Sequence, residues 1–184
     1  VDTVGNGGAA AILTAVARGD LEEAARQAAG PVPDDPAFSM TAAVAIGQLA
    51  LLTENTPLMH QAVEWSRRGT IPLLRYLPTQ LECCRALLEG RVEEAADLAE
   101  QHWAEAVPVP LSRVQARPVL DVPLLAVGRA DVVRAVIDQC TGDVAGMGDV
   151  PLLRAGLHQS RAQLALRDGR PDLVAEHARA LLAL

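Results

Sequence analysis

One glycine-centred segment recurs along this chain and restricts its possible folds more than any other feature. It reads Ala17-Arg18-Gly19-Asp20-Leu21-Glu22-Glu23-Ala24 and again Leu88-Glu89-Gly90-Arg91-Val92-Glu93-Glu94-Ala95. Shorter copies surround Gly128 and Gly169, and Glu54-Asn55-Thr56-Pro57 supplies a fifth turn. The turn positions 19, 55, 90, 128 and 169 lie 36, 35, 38 and 41 residues apart. A repeat of this length implies stacked helical hairpins, because one hairpin cannot bury its apolar face alone. The expected architecture is therefore an all-α solenoid of about five helical hairpins, forming one domain over residues 1–184. The hairpins are expected at about 8–30, 36–69, 72–107, 110–141 and 149–184.

Local signals place ten helices in that frame. The Gly30-to-Pro36 run is a break, with Pro31, Pro33 and Pro36 removing backbone donors. Pro57 suits a first helical turn, and Pro72 with Pro78 predicts a helix that starts late, near Pro78. Pro118 and Pro123 predict a kink or split within 110–127, and the glycines of 141–148 read as a connector after a helix over 129–140. The segment 91–106 is the clearest amphipathic helix. Val92, Ala95, Ala96, Ala99, Trp103 and Ala106 make one apolar stripe, opposite Glu93, Glu94, Asp97, Glu100 and Glu105.

Composition sets the core chemistry and excludes several functions. Half of the residues are hydrophobic but only 2% are aromatic, so Ala, Leu and Val must fill the interior and let helices approach closely. All sixteen cationic side chains are Arg, a bias of GC-rich coding that points to a bacterial source. The net charge of −7 argues against direct nucleic-acid binding by this segment. No stretch is long and apolar enough to span a membrane, and the N-terminus has no signal-peptide pattern, which makes the cytoplasm the expected compartment. Three cysteines without CxxC spacing give neither a disulfide framework nor a zinc site; Cys83 and Cys84 read as small core residues, with a redox-active vicinal pair as the alternative. The chain begins at Val1 and closes on Ala180-Leu181-Leu182-Ala183-Leu184, apolar and in mid-helix. That pattern suggests a piece of a longer protein, or a last helix covered by a partner.

The two strong copies resemble tetratricopeptide repeats. That family places Gly at the turn between its two helices and Ala five positions on, where they cross most closely; Gly19/Ala24 and Gly90/Ala95 match the pair. Cys83 and Ala86 stand where the family has its first-helix Gly and aromatic, and Val133 and Val174 replace the Ala in the later copies. The resemblance implies a right-handed, TPR-like superhelix. Ala/Leu/Arg-rich arrays of this kind are similar to those in LuxR-type, MalT-like bacterial transcriptional regulators, and this implies a signal-sensing or interaction segment.

Charge is divided unevenly between the helices of a hairpin. In the last three hairpins the first helices carry Arg75, Arg85, Arg113, Arg117, Arg154, Arg161 and Arg167 against five acids, whereas the second helices are net acidic. The resemblance puts first helices on the concave face, which implies a mildly basic groove. Arg154, His158 and Arg161 share one helical face, and Arg113 and Arg117 are four apart on the preceding first helix. Guanidinium groups suit carboxylates and phosphates through paired donors. These five residues are the candidate partner- or ligand-binding site, for an acidic peptide, a protein or an anionic small molecule; the alternative is pairing with acids of neighbouring repeats. Trp65 and Trp103 read as core or inter-repeat packing.

Catalysis finds no support in the motifs. His60, His102, His158 and His177 lack ligand spacing, Asp34-Asp35 reads as a turn, and Gly5-Asn6-Gly7-Gly8 lacks the Lys of a phosphate loop. His102 is expected on a helix surface. No catalytic residue, cofactor or metal is expected. The function expected is non-catalytic recognition within a regulator. The alternatives are a stand-alone adaptor for an acidic partner and a small-molecule sensor.

Overall fold

The computed structural model describes residues 4–30, 36–68, 71–106, 108–148 and 150–184. The break at 31–35, with Asp34 and Asp35, lies outside them. Among the described residues every regular element is helical. Contacts divide the chain into two compact units, Val1–Arg91 and Val92–Leu184.

The first unit holds α1 (Val4–Ala17), α2 (Leu21–Ala28), α3 (Pro36–Leu52), α4 (Thr56–Ser66), a 3-10 turn at Pro72–Leu74 and α5 (Leu77–Leu88). Here α3 is central, packing on α1, α4 and α5. Its interior residues are mostly small: Ala42, Ala43, Ala45 and Ala50 are buried beside Ile46 and Leu49. Gly47 brings the backbone close to α5, since a Cβ there would sit 2.6 Å from Cδ2 of Leu81. Each buried Ala methyl contributes only about 0.8 kcal/mol, so the unit depends on many close approaches rather than a few large side chains. Trp65 is buried, and its carbonyl accepts a 2.8 Å hydrogen bond from the Ser39 hydroxyl.

The second unit holds α6 (Val92–Ala106), α7 (Pro110–Ala116), a 3-10 turn at Arg117–Val119, α8 (Asp121–Ala126), α9 (Ala130–Met147), α10 (Pro151–Arg167) and α11 (Pro171–Leu182). The α7/α8 split is the one expected from proline: Pro118 offers no N–H and falls in the 3-10 segment between the two helices. The α9 helix, by contrast, runs through the expected connector to Met147. Gly142 and Gly146 adopt helical dihedrals there, and burial of Val133, Ile137, Cys140 and Val144 carries the apolar period past Cys140. In this unit α9 packs on α7, α8 and α10, while α11 packs on α10.

All five turns share one geometry. Gly19, Gly90, Gly128 and Gly169 have φ between 67° and 87°, and Glu54 has φ 50°. The residue after each donates to the carbonyl five positions back, as in Asp20→Ala15 (2.9 Å), Asn55→Ala50 (2.9 Å), Arg91→Ala86 (2.8 Å), Arg129→Leu124 (2.8 Å) and Arg170→Ala165 (2.9 Å). With the bond from the left-handed residue itself to the carbonyl three positions back, this is the Schellman closure of a helix C-terminus. The second turn is thus registered on Glu54, one residue before the Asn55 read from the sequence. Five positions beyond the left-handed residue stand Ala24, Met59, Ala95 and Val133, all fully buried, and Val174, half-buried. Asp20 and Asn55 then cap the following helices, accepting from the Glu23 and Leu58 amides at 3.0 Å.

Candidate functional site

The five residues singled out by charge all lie in the second unit, and they separate into two groups. Arg113 on α7 points its Nε at Oδ2 of Asp143 on α9, 2.7 Å away, with Nη2 on the other oxygen. Asp143 raises the Arg113 pKa, the hydrogen bond contributing most. Arg117, in the 3-10 turn, is only 1% exposed. Its Nη1 lies 3.2 Å from Oδ2 of the equally buried Asp121, one helical turn on. Ser160 of α10 donates its hydroxyl to that same carboxylate oxygen. Gly156 of α10 makes room for the guanidinium: a Cβ there would fall 2.5 Å from Nη2.

Burial dominates the electrostatics of this pair. Desolvation lowers the Arg117 pKa against the pull of Asp121, and it raises the Asp121 pKa against the Ser160 hydrogen bond and the Arg117 charge. Arg117 Nε and Asp121 Oδ1 are buried without a hydrogen bond. Such a pair gives back less energy than its dehydration costs, yet removing either partner would strand the other. Arg113 and Arg117 therefore tie α7, α8, α9 and α10 together.

The remaining three candidates stand on α10. Arg154 and His158 are half-buried, and Arg161 donates from Nη2 to the Thr141 hydroxyl of α9 at 2.8 Å. The structure adds a residue that the charge pattern did not select. His177 of α11 faces His158, with their Nδ1 atoms 3.4 Å apart and the rings tilted by 48°. Burial lowers the His158 pKa most, and the fields of His177, Arg161 and Arg154 lower it further. The signal for His177 was present in the sequence. His158 and His177 lie almost symmetrically about the Arg167–Arg170 turn, and helices of a hairpin bring such positions together.

Several other titratable groups are paired or buried. Arg129 binds Asp97 and Glu100 of α6 at 3.0–3.1 Å, so part of the acidic α6 face is neutralised within the unit. Cys83, Cys84 and Cys140 are free and buried, and burial pushes their thiols up to about 12, about 11 and about 11. Thiols in that range are almost wholly protonated at neutral pH and make poor nucleophiles. His102 is fully buried on α6, not on the helix surface expected from its sequence context. It lies one turn before the buried Ala106 and three residues after the buried Ala99, hence on the core face. Trp103 is half-buried.

Among the described residues no three His, Cys, Asp or Glu side chains converge as a metal site would need, and no helix is long and apolar enough to cross a membrane. No protein-family model, curated protein or solved structure matches the chain.

Proposed function

We propose that this chain is a non-catalytic recognition domain that binds an acidic protein or peptide partner through α10. Its hairpins would continue as a right-handed, TPR-like solenoid in the cytoplasm. The observation that carries this reading is the five-fold recurrence of one turn geometry, at 19, 54, 90, 128 and 169, at repeat-length spacing. A repeated hairpin is a scaffold for extended surfaces and adapts to partners by changing exposed side chains. Support for a LuxR-type, MalT-like regulator as the parent protein comes from the residues around Gly19 and Gly90 and from the Ala/Leu/Arg-rich composition.

Arg154 and Arg161 are the contact residues proposed here, because they flank the half-buried His158 on one face of α10. The test is parallel capture from bacterial lysate with wild type and the Arg154→Ala/Arg161→Ala double variant. A protein retained by wild type and lost from the variant is the expected result. Equal retention by both would remove α10 from the binding surface.

A further inference from the structure

The contact between His158 and His177 has an unusual chemical requirement. Two imidazoles that meet Nδ1 to Nδ1 at 3.4 Å are compatible when one nitrogen carries a hydrogen and the other a lone pair. Once both rings are protonated, two N–H groups converge on one point and repel. An oxyanion set to one side of the line between the nitrogens, about 2.8 Å from each, accepts from both once the rings turn toward it and reverses the repulsion. Both rings are half-buried, so such an anion has access from solvent.

The surroundings favour an anion. Arg154 precedes His158 by four positions and Arg161 follows by three, which puts both on its face of α10. The Arg161 hydrogen bond goes to the neutral Thr141 hydroxyl, which leaves the guanidinium charge in place. Glu176 of α11 is the one acid among the groups whose fields act on His158, and its effect is the smallest of them. On the other elements packed against α10, Asp121 is held by Arg117 and Ser160, and Asp143 by Arg113. Asp168, at the end of α10, is bonded to Arg134.

We infer that His158, His177 and Arg161 form a carboxylate-binding site that takes up a proton with its anion, so that an acidic peptide is held more tightly at pH 6 than at pH 8. This rests on the acidic-partner reading above and adds to it a titrating group and a second helix. The lowered His158 pKa fits: burial first, and then the fields of His177, Arg161 and Arg154, disfavour its proton, and a bound carboxylate offsets them.

The test titrates a hexaglutamate peptide into the whole chain by calorimetry at pH 6.0 and 8.0, in buffers of differing ionisation heat. Wild type is compared with His177→Gln and Arg154→Ala/Arg161→Ala, each first checked by circular dichroism for retained helix. Binding severalfold tighter at pH 6.0, with a fraction of one proton taken up, is expected; one unit of pKa shift on complex formation caps the gain at about tenfold. His177→Gln should keep the pH 8.0 affinity and take up less proton than wild type, because one imidazole is gone and the His177 field that lowers His158 goes with it. Equal wild-type affinity at both pH values, or full proton uptake in His177→Gln, overturns the proposal. If the peptide binds equally at both pH values and Arg154→Ala/Arg161→Ala releases it, proton coupling fails and the acidic-partner reading stands. Absence of binding at either pH refutes both.

Discussion

Replacing Arg117 by Met tests the energetics of the second unit most directly. Arg117 and Asp121 are each 1% exposed, and Asp121 Oδ1 already lacks a hydrogen bond. Met fills much of the Arg stem volume but leaves the carboxylate facing an apolar site, with the Ser160 hydroxyl still donating to it. Stranding one member of a buried pair costs about 3–5 kcal/mol. Protonation sets a ceiling on that cost. From an unfolded value near 3.9, neutralising the carboxyl takes about 4 kcal/mol at pH 7 but only about 1.5 kcal/mol at pH 5. Arg117→Met should therefore destabilise by about 3–4 kcal/mol at pH 7 and by about 1–1.5 kcal/mol at pH 5. Arg117→Met/Asp121→Leu should recover most of the loss at both pH values.

The same pair gives the wild type a pH slope. The Asp121 carboxyl has a folded pKa raised above its unfolded one, so the folded state binds the proton more tightly. Its contribution is most favourable below the ordinary carboxylate value and is lost as pH rises through the raised one. The difference between wild type and Asp121→Asn isolates that slope. Urea unfolding followed by Trp103 fluorescence in a Trp65→Phe background reports on the second unit, because Trp103 lies on α6 and Trp65 on α4. A cost below about 1 kcal/mol at pH 7, or a cost independent of pH, would refute the reasoning, since neither fits a stranded buried charge.

The same Gly→Ala change should have opposite signs at two kinds of position. Gly90 has φ 73° with open space where a Cβ would go, so Gly90→Ala should cost about 1–2 kcal/mol from torsion alone; Gly142→Ala and Gly146→Ala, helical and equally open, should each stabilise by about 0.5–1 kcal/mol, with thermal melts as the check. At Gly47, Val should cost about 1–3 kcal/mol by overpacking against Leu81, and an unchanged melting temperature would mean that α3 and α5 are not in close contact. Ellman's reagent at pH 8 should find no fast-reacting thiol in the native chain and three in denaturant; one rapid equivalent would show that a cysteine is reachable.

Several features of fold and site were legible because they depend on local chemistry. Gly19, Gly90, Gly128 and Gly169 mark left-handed turns, since a Cβ is penalised there, and their spacing announced the hairpins. Pro118 marked the α7/α8 split. The Arg113, Arg117, Arg154, His158 and Arg161 pattern led to the second unit, but it could not tell that Arg113 and Arg117 hold acids of other elements while Arg161 bonds the Thr141 hydroxyl. Gly142 and Gly146 misled for a related reason: glycine permits a connector without requiring one, and burial of Cys140 and Val144 decided for helix. Glu54 was passed over because its side chain does not advertise a left-handed conformation.

The sequence by itself determined that the described residues form helices, where most of the turns between them fall, and a core built largely from small side chains. These follow from backbone sterics, lost donors and apolar periodicity, all of which act within a few residues. Only the tertiary structure decided that Arg117 is sealed against Asp121 and Ser160, that Gly156 is the space its guanidinium needs, that His102 faces inward, and that His177 meets His158. Those outcomes depend on which helix faces which. The energy of a charged or polar side chain is set by the groups brought against it from elsewhere in the chain.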